Sequence, residues 1–372
     1  MRKVKLGDLV TVMNEREDNP SRSKYDRFVG LEHYDSGSIS ITRWGSTEML
    51  VSAMKVFHRG DILVARRNVY LKRASSVDFD GITSGDSIIL HVNDEQYKAI
   101  VPFVLNTDSF WDYADQHSDG SMSKRLAPKT MLEYEFTLPD DEEVERLSTL
   151  LWAMERTKTS YKNLIAKTDE LVKSQFVEMF GLPDSNDHAF EIARIGDVVC
   201  DVHYGTSRKA LDDGEYTYLR MNNITYGGEL DLADTKRISV PDKELAGCIV
   251  KKGDVLFNRT NSRDLVGKTC AFKLDEPMII AGYIIRLRMN GRVLPEYLSV
   301  FLNLDSSKKL LFTMAKGAVG QANINAQEVQ SIQIVVPPME AQISFQRLVE
   351  QSDKSKFVAR QATSNMKTYG IL

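Results

Sequence analysis

The sequence predicts an α+β fold: two tandem, pseudo-two-fold-related globular domains separated by two long antiparallel helices that form a coiled coil. Three observations carry this expectation. A seam at helical spacing runs through some forty residues in mid-chain, the motifs that precede it recur in the same order after it, and each copy closes on a short strand, a proline and a helix. At 372 residues the chain is also too long for one ordinary core.

The stretch from Pro139 to Phe180 reads as one helix. Positions spaced alternately by three and four (Val144, Leu147, Leu151, Met154, Lys158, Tyr161, Ile165, Thr168, Val172, Gln175 and Met179) make the seam of a helix that packs on a partner helix. Asp140, Asp141, Glu142 and Glu143 stand where the positive end of the helix dipole favours carboxylates, and Gly181 follows where a left-handed cap is expected. At about 1.5 Å per residue this is a rod of roughly 60 Å, suited to a spacer or a docking surface. Lys158, Thr168 and Gln175 interrupt the seam, and polar residues there set register and partner number at some cost in stability.

Around that rod the chain repeats. Lys3–Val10 matches Ile192–Val199, Tyr25–Ile41 resembles Tyr216–Leu232, and Phe57–Arg66 (FHRGDILVAR) matches Val250–Arg259 (VKKGDVLFNR), each of the last pair giving a Gly-Asp turn, a buried strand and an arginine leaving its end. The loops opening at Gly120 and Gly317 also correspond, and both lead to a short strand, Tyr134–Leu138 or Ile332–Val336, and then to Pro139 or Pro337. A second helix follows, with Phe345, Leu348, Ser352, Ala359, Met366 and Tyr369 on its seam. The expected organisation is domain 1–138, helix 139–181, domain 182–336 and helix 337–372. If the halves are related by a two-fold axis, the helices run antiparallel and the domains face outward at opposite ends. Such an object is a ruler with a reader at each end, and on duplex DNA the readers would address opposite strands, with half-sites roughly one helical turn apart.

Composition fits a soluble globular protein, with 42% hydrophobic and 27% charged residues. No apolar run is long enough to span a bilayer and no signal-peptide core is seen, so the expected location is the cytoplasm, with no membrane partner. Cys200, Cys248 and Cys270 are odd in number and widely spaced, as expected of buried, reduced thiols rather than a disulfide framework or a zinc site. The net charge of −4 argues against indiscriminate nucleic-acid binding, so any polyanion contact has to come from local patches.

Such patches lie after the Gly-Asp strand in each copy. The first has Arg66, Arg67, Lys72 and Arg73, and the second has Arg259, Asn261, Ser262 and Arg263. Further candidates are Arg43, Lys124 and Arg125 in the first copy, and Tyr204, Thr206, Ser207, Arg208, Lys209, Arg220, Asn222, Asn223, Lys316, Gln321 and Asn323 in the second. Arginine can bridge guanine edges, asparagine can bridge adenine edges, and lysine or serine can hold phosphates. A single loop of this kind reads equally well as a solvated hairpin; equivalent placement in both copies is what favours DNA.

Enzyme signatures fail on inspection. Ser262–Thr269 resembles a P-loop without its first glycine, and Asp115–Gly120 begins like a calcium loop but has Leu126 where the bidentate glutamate belongs. The six histidines form no ligand pair, so no metal or catalytic residue is assigned. A recogniser that lends its target to a catalytic partner ranks ahead of a helical scaffold without DNA readout, and further ahead of a DNA-acting enzyme.

These residues resemble a known family, the specificity subunits of type I restriction-modification systems. The resemblance rests on the paired openings KLGD and RIGD, on RGDILVAR and KGDVLFNR, on GAVGQANIN, on the junctions LPDDEE and VPPMEAQ, on KSQFVEMFG ending the first helix, and on SDKSKF in the second. It implies that each globular domain is a target-recognition domain for half of a bipartite sequence in double-stranded DNA, and that the helices set the unread gap. It implies further that the helices dock two methyltransferase subunits bringing S-adenosylmethionine, and that two restriction subunits using ATP and Mg join through them. This chain itself would be non-catalytic and bind no cofactor. Two departures stand out: the second helix is shorter than the first, without a longer basic tail, and the loop GSMSKRLAPK lacks the glycine-glutamine-asparagine pattern of its counterpart.

Overall fold

A computed structural model describes residues 1–120, 123–186, 188–316 and 321–368, with side chains to 364. The loop openings at 121–122 and 317–320, and the seam side chains of Met366 and Tyr369, fall outside that description. The chain forms two compact units, Met1–Ser160 with the residues from Thr363 onward, and Tyr161–Ala362.

In the first unit a four-stranded antiparallel sheet has the order Val10–Met13, Ser87–Val92, Ile62–Ala65, Ala74–Ser76. Behind it lies a mixed five-stranded sheet, Arg16–Glu17, Met54–Phe57, Gly81–Thr83, Arg27–Val29, Gly45–Ser46. Ile62–Ala65 is an unbroken apolar run because both of its faces are covered. Ile62 and Val64 pack toward a helical layer with Val101, Phe110 and Trp111, whereas Leu63 and Ala65 pack with Val29 and Phe57 of the other sheet.

The second unit repeats the plan, with Val199–Tyr204, Ile284–Met289, Asp254–Asn258, Thr269–Ala271 in one sheet and Lys236–Ile238, Tyr216–Leu219, Met278–Ile280, Ile249–Val250 in the other. Arg2–Lys5 pairs with Glu135–Leu138 just as Glu191–Arg194 pairs with Gln333–Val336. The Gly-Asp turns agree in detail. Gly60 and Gly253 take φ of 91° and 92°, a region where only glycine is unstrained. Asp61 Oδ2 accepts from His58 N at 2.8 Å, and Asp254 Oδ2 accepts from Lys251 N at 2.9 Å. One alignment shifts by a residue: Phe28 pairs in parallel with Ile82 as Tyr218 does with Ile279, so these two are equivalent, rather than Tyr25 and Tyr216 setting the frame. Ladder pairing sets register, whatever the neighbouring aromatic.

The first long helix spans Asp141–Phe180, 40 residues. Asp140 caps it, with Oδ1 accepting from Glu143 N at 3.1 Å, and Gly181 ends it at φ 67°. Within the first unit Val144 and Ser148 are buried, and Trp152 Nε1 donates to Ala99 O at 2.8 Å. Within the second unit the helix is buried at Val172, Phe176 and Phe180; the last two lie off the written seam yet make its deepest contacts, with Tyr297 and Phe345. The second long helix, Met339–Thr368, buries Phe345, Ser352 and Ala359. Phe176 meets Phe345 while Asp169 meets Lys356, so the two helices are antiparallel over this span.

Lys356 sits in that seam with its side chain 6% exposed, and reaches Asp169 and Glu229 at 2.8 Å and Asp353 at 3.2 Å. Burial would lower its ammonium, but the hydrogen bonds it donates to Asp169 and Glu229 outweigh this and raise it overall. Two of the three cysteines are buried, and burial pushes the Cys270 thiol up to about 12. Cys200 corrects the expectation: it is exposed, because the ladder shifts register between Val199 and Asp201 and leaves Cys200 as the unpaired residue of a β-bulge. Among the described residues no helix is long and apolar enough to cross a membrane.

Candidate nucleic-acid interface

In the second domain four segments converge where the strand Asp254–Asn258 ends. Arg259 is held through its backbone on both sides, its N–H donating to Tyr283 O and its carbonyl accepting from Ile324 N, each at 2.9 Å. Beyond it Thr260 and Asn261 pair antiparallel with Asn323 and Ala322. The Arg259 guanidinium lies 4.8 Å from the Tyr204 ring centre, and the Tyr204 hydroxyl accepts from Ala326 N at 2.9 Å. Tyr204, Arg259, Asn261 and Asn323, far apart in sequence, therefore share one edge. No ion pair to a carboxylate is found for Arg259 among the described residues.

Beside this edge an open groove of about 950 Å³ is lined in part by Tyr204, Thr206, Ser207, Arg208 and Arg288. Arg286, 1% exposed, holds the sheet edge together by donating to the Ala246 and Ile249 carbonyls and to Asp201. Thr206 Oγ1 accepts from Arg208 N at 3.2 Å, while Ser207, Lys209 and Gln321 are exposed.

Other candidates in this domain are already engaged. Arg208 forks onto Glu244 at 2.7 and 2.9 Å, which raises the guanidinium and lowers the carboxyl. Arg220 reaches Asp234 at 2.8 Å, Asn222 reaches the same carboxylate at 3.2 Å, and Lys316 reaches Glu328 at 2.6 Å. Arg263 lies 4.4 Å from the Phe312 ring centre, and Ser262 N donates to Asn261 Oδ1 at 2.8 Å. Asn223 is 1% exposed: it accepts from Arg220 N and donates to the Asp231 and Asp234 carbonyls, so it shapes the loop instead of facing outward.

The first domain has the same frame. Arg66 N donates to Asp86 O, Leu126 N to Arg66 O and Asn68 N to Lys124 O, each at 2.9 Å, and Arg67 bridges antiparallel to Arg125. Arg66 therefore corresponds to Arg259, Arg67 to Thr260, Arg125 to Asn323 and Asp86 to Tyr283. Among the described residues the buried Nε of Arg66 and that of Arg259 both lack an acceptor. The side chains otherwise differ. Arg67 Nε and Arg125 Nη2 converge on Asp86 Oδ1 at 2.9 and 3.2 Å. Lys72 pairs with Asp108, Lys124 with Asp115 and Arg43 with Asp35, while Arg73 donates to the Leu31 and Arg67 carbonyls. Burial lowers the Arg73 guanidinium.

Sequence reasoning missed Asp86 and Tyr283, which sit in neither basic run. Lys268 belongs to the basic run of the second loop, but Lys308, beneath that loop, was missed. Lys268 donates to Met221 O at 2.8 Å and Lys308 to Gly267 O at 2.7 Å. Burial, with help from the charges of Lys173 and Lys268, pushes Lys308 down to about 7.

Residues 188–356 match the model of the type I restriction modification DNA specificity domain. Over 219 residues, 56% of this chain, the sequence is 24% identical to the type I restriction enzyme EcoKI specificity subunit of Escherichia coli K12, a match spanning 47% of that protein's length. The type I restriction-modification S subunit of M. genitalium has a similar fold, at TM-score 0.54 and 12% identity over 98% of this chain and 92% of the other. A chain from a structure concerned with assembly and conformational transition of the type I R-M system is similar at TM-score 0.50 and 19% identity, over 98% and 94%. Residues 188–356 thus match the type I restriction modification DNA specificity domain, and the chain is similar in sequence and in fold to specificity subunits of type I restriction-modification systems.

Proposed function

We propose that this chain is the DNA sequence-recognition subunit of a type I restriction-modification complex, each globular domain reading one half of a bipartite target. The observation that carries the proposal is the specificity-domain match over 188–356 together with the recurrence of the same backbone frame in the first domain. In the second domain the proposed contacts centre on Tyr204, Arg259, Asn261 and Asn323, with Ser207, Lys209 and Gln321 toward the backbone. In the first they centre on Arg66, Arg67 and Arg125, with Lys72, Lys124 and Arg43 at the rim.

The long helices would set the unread gap and dock two methyltransferase subunits, through which two restriction subunits join in the cytoplasm. S-adenosylmethionine would then belong to the first partner, ATP and Mg to the second, and this chain would recognise without catalysing. Exposed apolar residues on the first long helix, Leu150, Leu164 and Leu171, support a docking role for it.

The test is to express the chain with its methyltransferase subunit and map methylated adenines across the host genome. A bipartite motif with a fixed gap is expected. A complex of correct mass that adds no methylation would count against the proposal. Inserting four residues, about one turn, into the exposed part of the first helix should lengthen the gap and leave both half-sites as they were; altered half-sites would sink the ruler.

A further inference from the structure

Resting on that reading, we propose that Asp86 is a specificity-determining residue of the first domain: it holds Arg67 and Arg125 as a preset pair directed at a guanine. The argument begins with equivalence. The backbone places Asp86, Arg67 and Arg125 where the second domain has Tyr283, Thr260 and Asn323, so both readers carry different chemistry at three matched positions.

In the second domain these positions are neutral, and Thr260 Oγ1 and Asn323 Oδ1 lie 3.3 Å apart. In the first they form one carboxylate between two guanidiniums. Asp86 meets Arg67 at Nε, at 2.9 Å. Among the described residues no hydrogen bond from either Nη of Arg67 is found, and the two Nη groups form the fork that matches guanine O6 and N7 in the major groove. The three side chains are accessible, at 46% for Arg67, 42% for Arg125 and 28% for Asp86.

Two unpaired arginines at this spot would be drawn to any phosphate. One carboxylate leaves the cluster a single net positive charge and holds one nitrogen of each guanidinium before DNA arrives. That arrangement trades indiscriminate attraction for orientation, the condition under which an arginine reads a base edge. The strand pairing of Arg67 with Arg125 keeps both residues beside the turn that carries Asp86.

The experiment uses the complex with the methyltransferase subunit and genome-wide mapping of methylated adenine, for the wild type and for Asp86→Asn and Arg67→Lys. The wild type should show a G·C pair in one half-site. Asp86→Asn should relax that position, so that discrimination falls by about tenfold, with the gap and the other half-site unchanged. Arg67→Lys keeps the charge and loses the fork, and should lose the same guanine preference while still methylating. Should Asp86→Asn abolish methylation altogether, Arg67→Lys decides. Undiminished discrimination at every position in Arg67→Lys, or in a methylating Asp86→Asn complex, would overturn the assignment while leaving the recognition function standing. A wild-type complex without any bipartite motif would overturn the parent reading and this one with it.

Discussion

The edges built around Arg66 and Arg259 share a backbone and differ in what they do with charge. In the first domain five of the seven candidate cations are held by a carboxylate of the same domain (Arg67 and Arg125 by Asp86, Lys72 by Asp108, Lys124 by Asp115, Arg43 by Asp35), against three of six (Arg208, Arg220 and Lys316) in the second. In the second, Arg259 instead lies on Tyr204, and the positions beside it are Thr260, Asn261 and Asn323. The frame is made by main-chain hydrogen bonds around Arg66 and Arg259, which do not depend on the neighbouring side chains. A site built this way can change its chemistry without changing its shape.

The largest effects should come from breaking the shared frame. Asp254, buried, takes Lys251 N and the Arg288 guanidinium, whereas Asp61 takes His58 N and His91. Removing a buried carboxylate strands its partners, so Asp254→Ala should cost about 3 kcal/mol. Asp61→Ala, whose side-chain partner is a half-exposed histidine, should cost about 2 kcal/mol. Urea unfolding of both variants checks the order; equal losses would mean the two turns are held alike.

Next come the contacts that differ. Replacing Arg259, Asn261 and Arg263 together by alanine should weaken discrimination at one half-site by roughly 1–3 kcal/mol per lost bidentate base contact, leaving the other half-site intact. Methylation mapping or competition binding would show it. Unchanged preference would remove this edge from the reader.

A separate effect is a pH slope that arises in the second domain. Lys308, at about 7 when folded, is charged in the unfolded chain up to the ordinary lysine range. Between those values the unfolded state binds more protons, so stability rises with pH from about 7 upward, and below about 7 the penalty is fully present. Lys308→Met should lose that rise, measured as the difference between unfolding at pH 7 and at pH 9. A variant with the wild-type slope would show that Lys308 is not the group responsible.

Much of the fold was legible because its signals are local. The acids at 140–143, the three-four spacing and Gly181 sufficed for the first helix, and the Gly-Asp turns with the strands after them sufficed for the repeat. Parts of the site were legible for the same reason: Arg259 and Arg66 leave the ends of recognisable strands. Asn223 misled because a polar residue in a loop looks alike whether its amide points outward or closes the loop. Phe176 and Phe180 were passed over because a heptad seam describes one partner, while these rings meet both the neighbouring helix and the core of the second domain.

By itself the sequence determined the two-copy plan, the long helices and the strand-end arginines, since each follows from periodicity or turn chemistry within a few residues. Only the tertiary structure decided which charges are spent and which are available. Asp86 lies 39 residues from Arg125, and Asp169 lies 187 residues from Lys356. No period or motif links such pairs. Their meeting depends on which loops the two sheets and the helix pair bring together, and on burial strengthening the pairs that form.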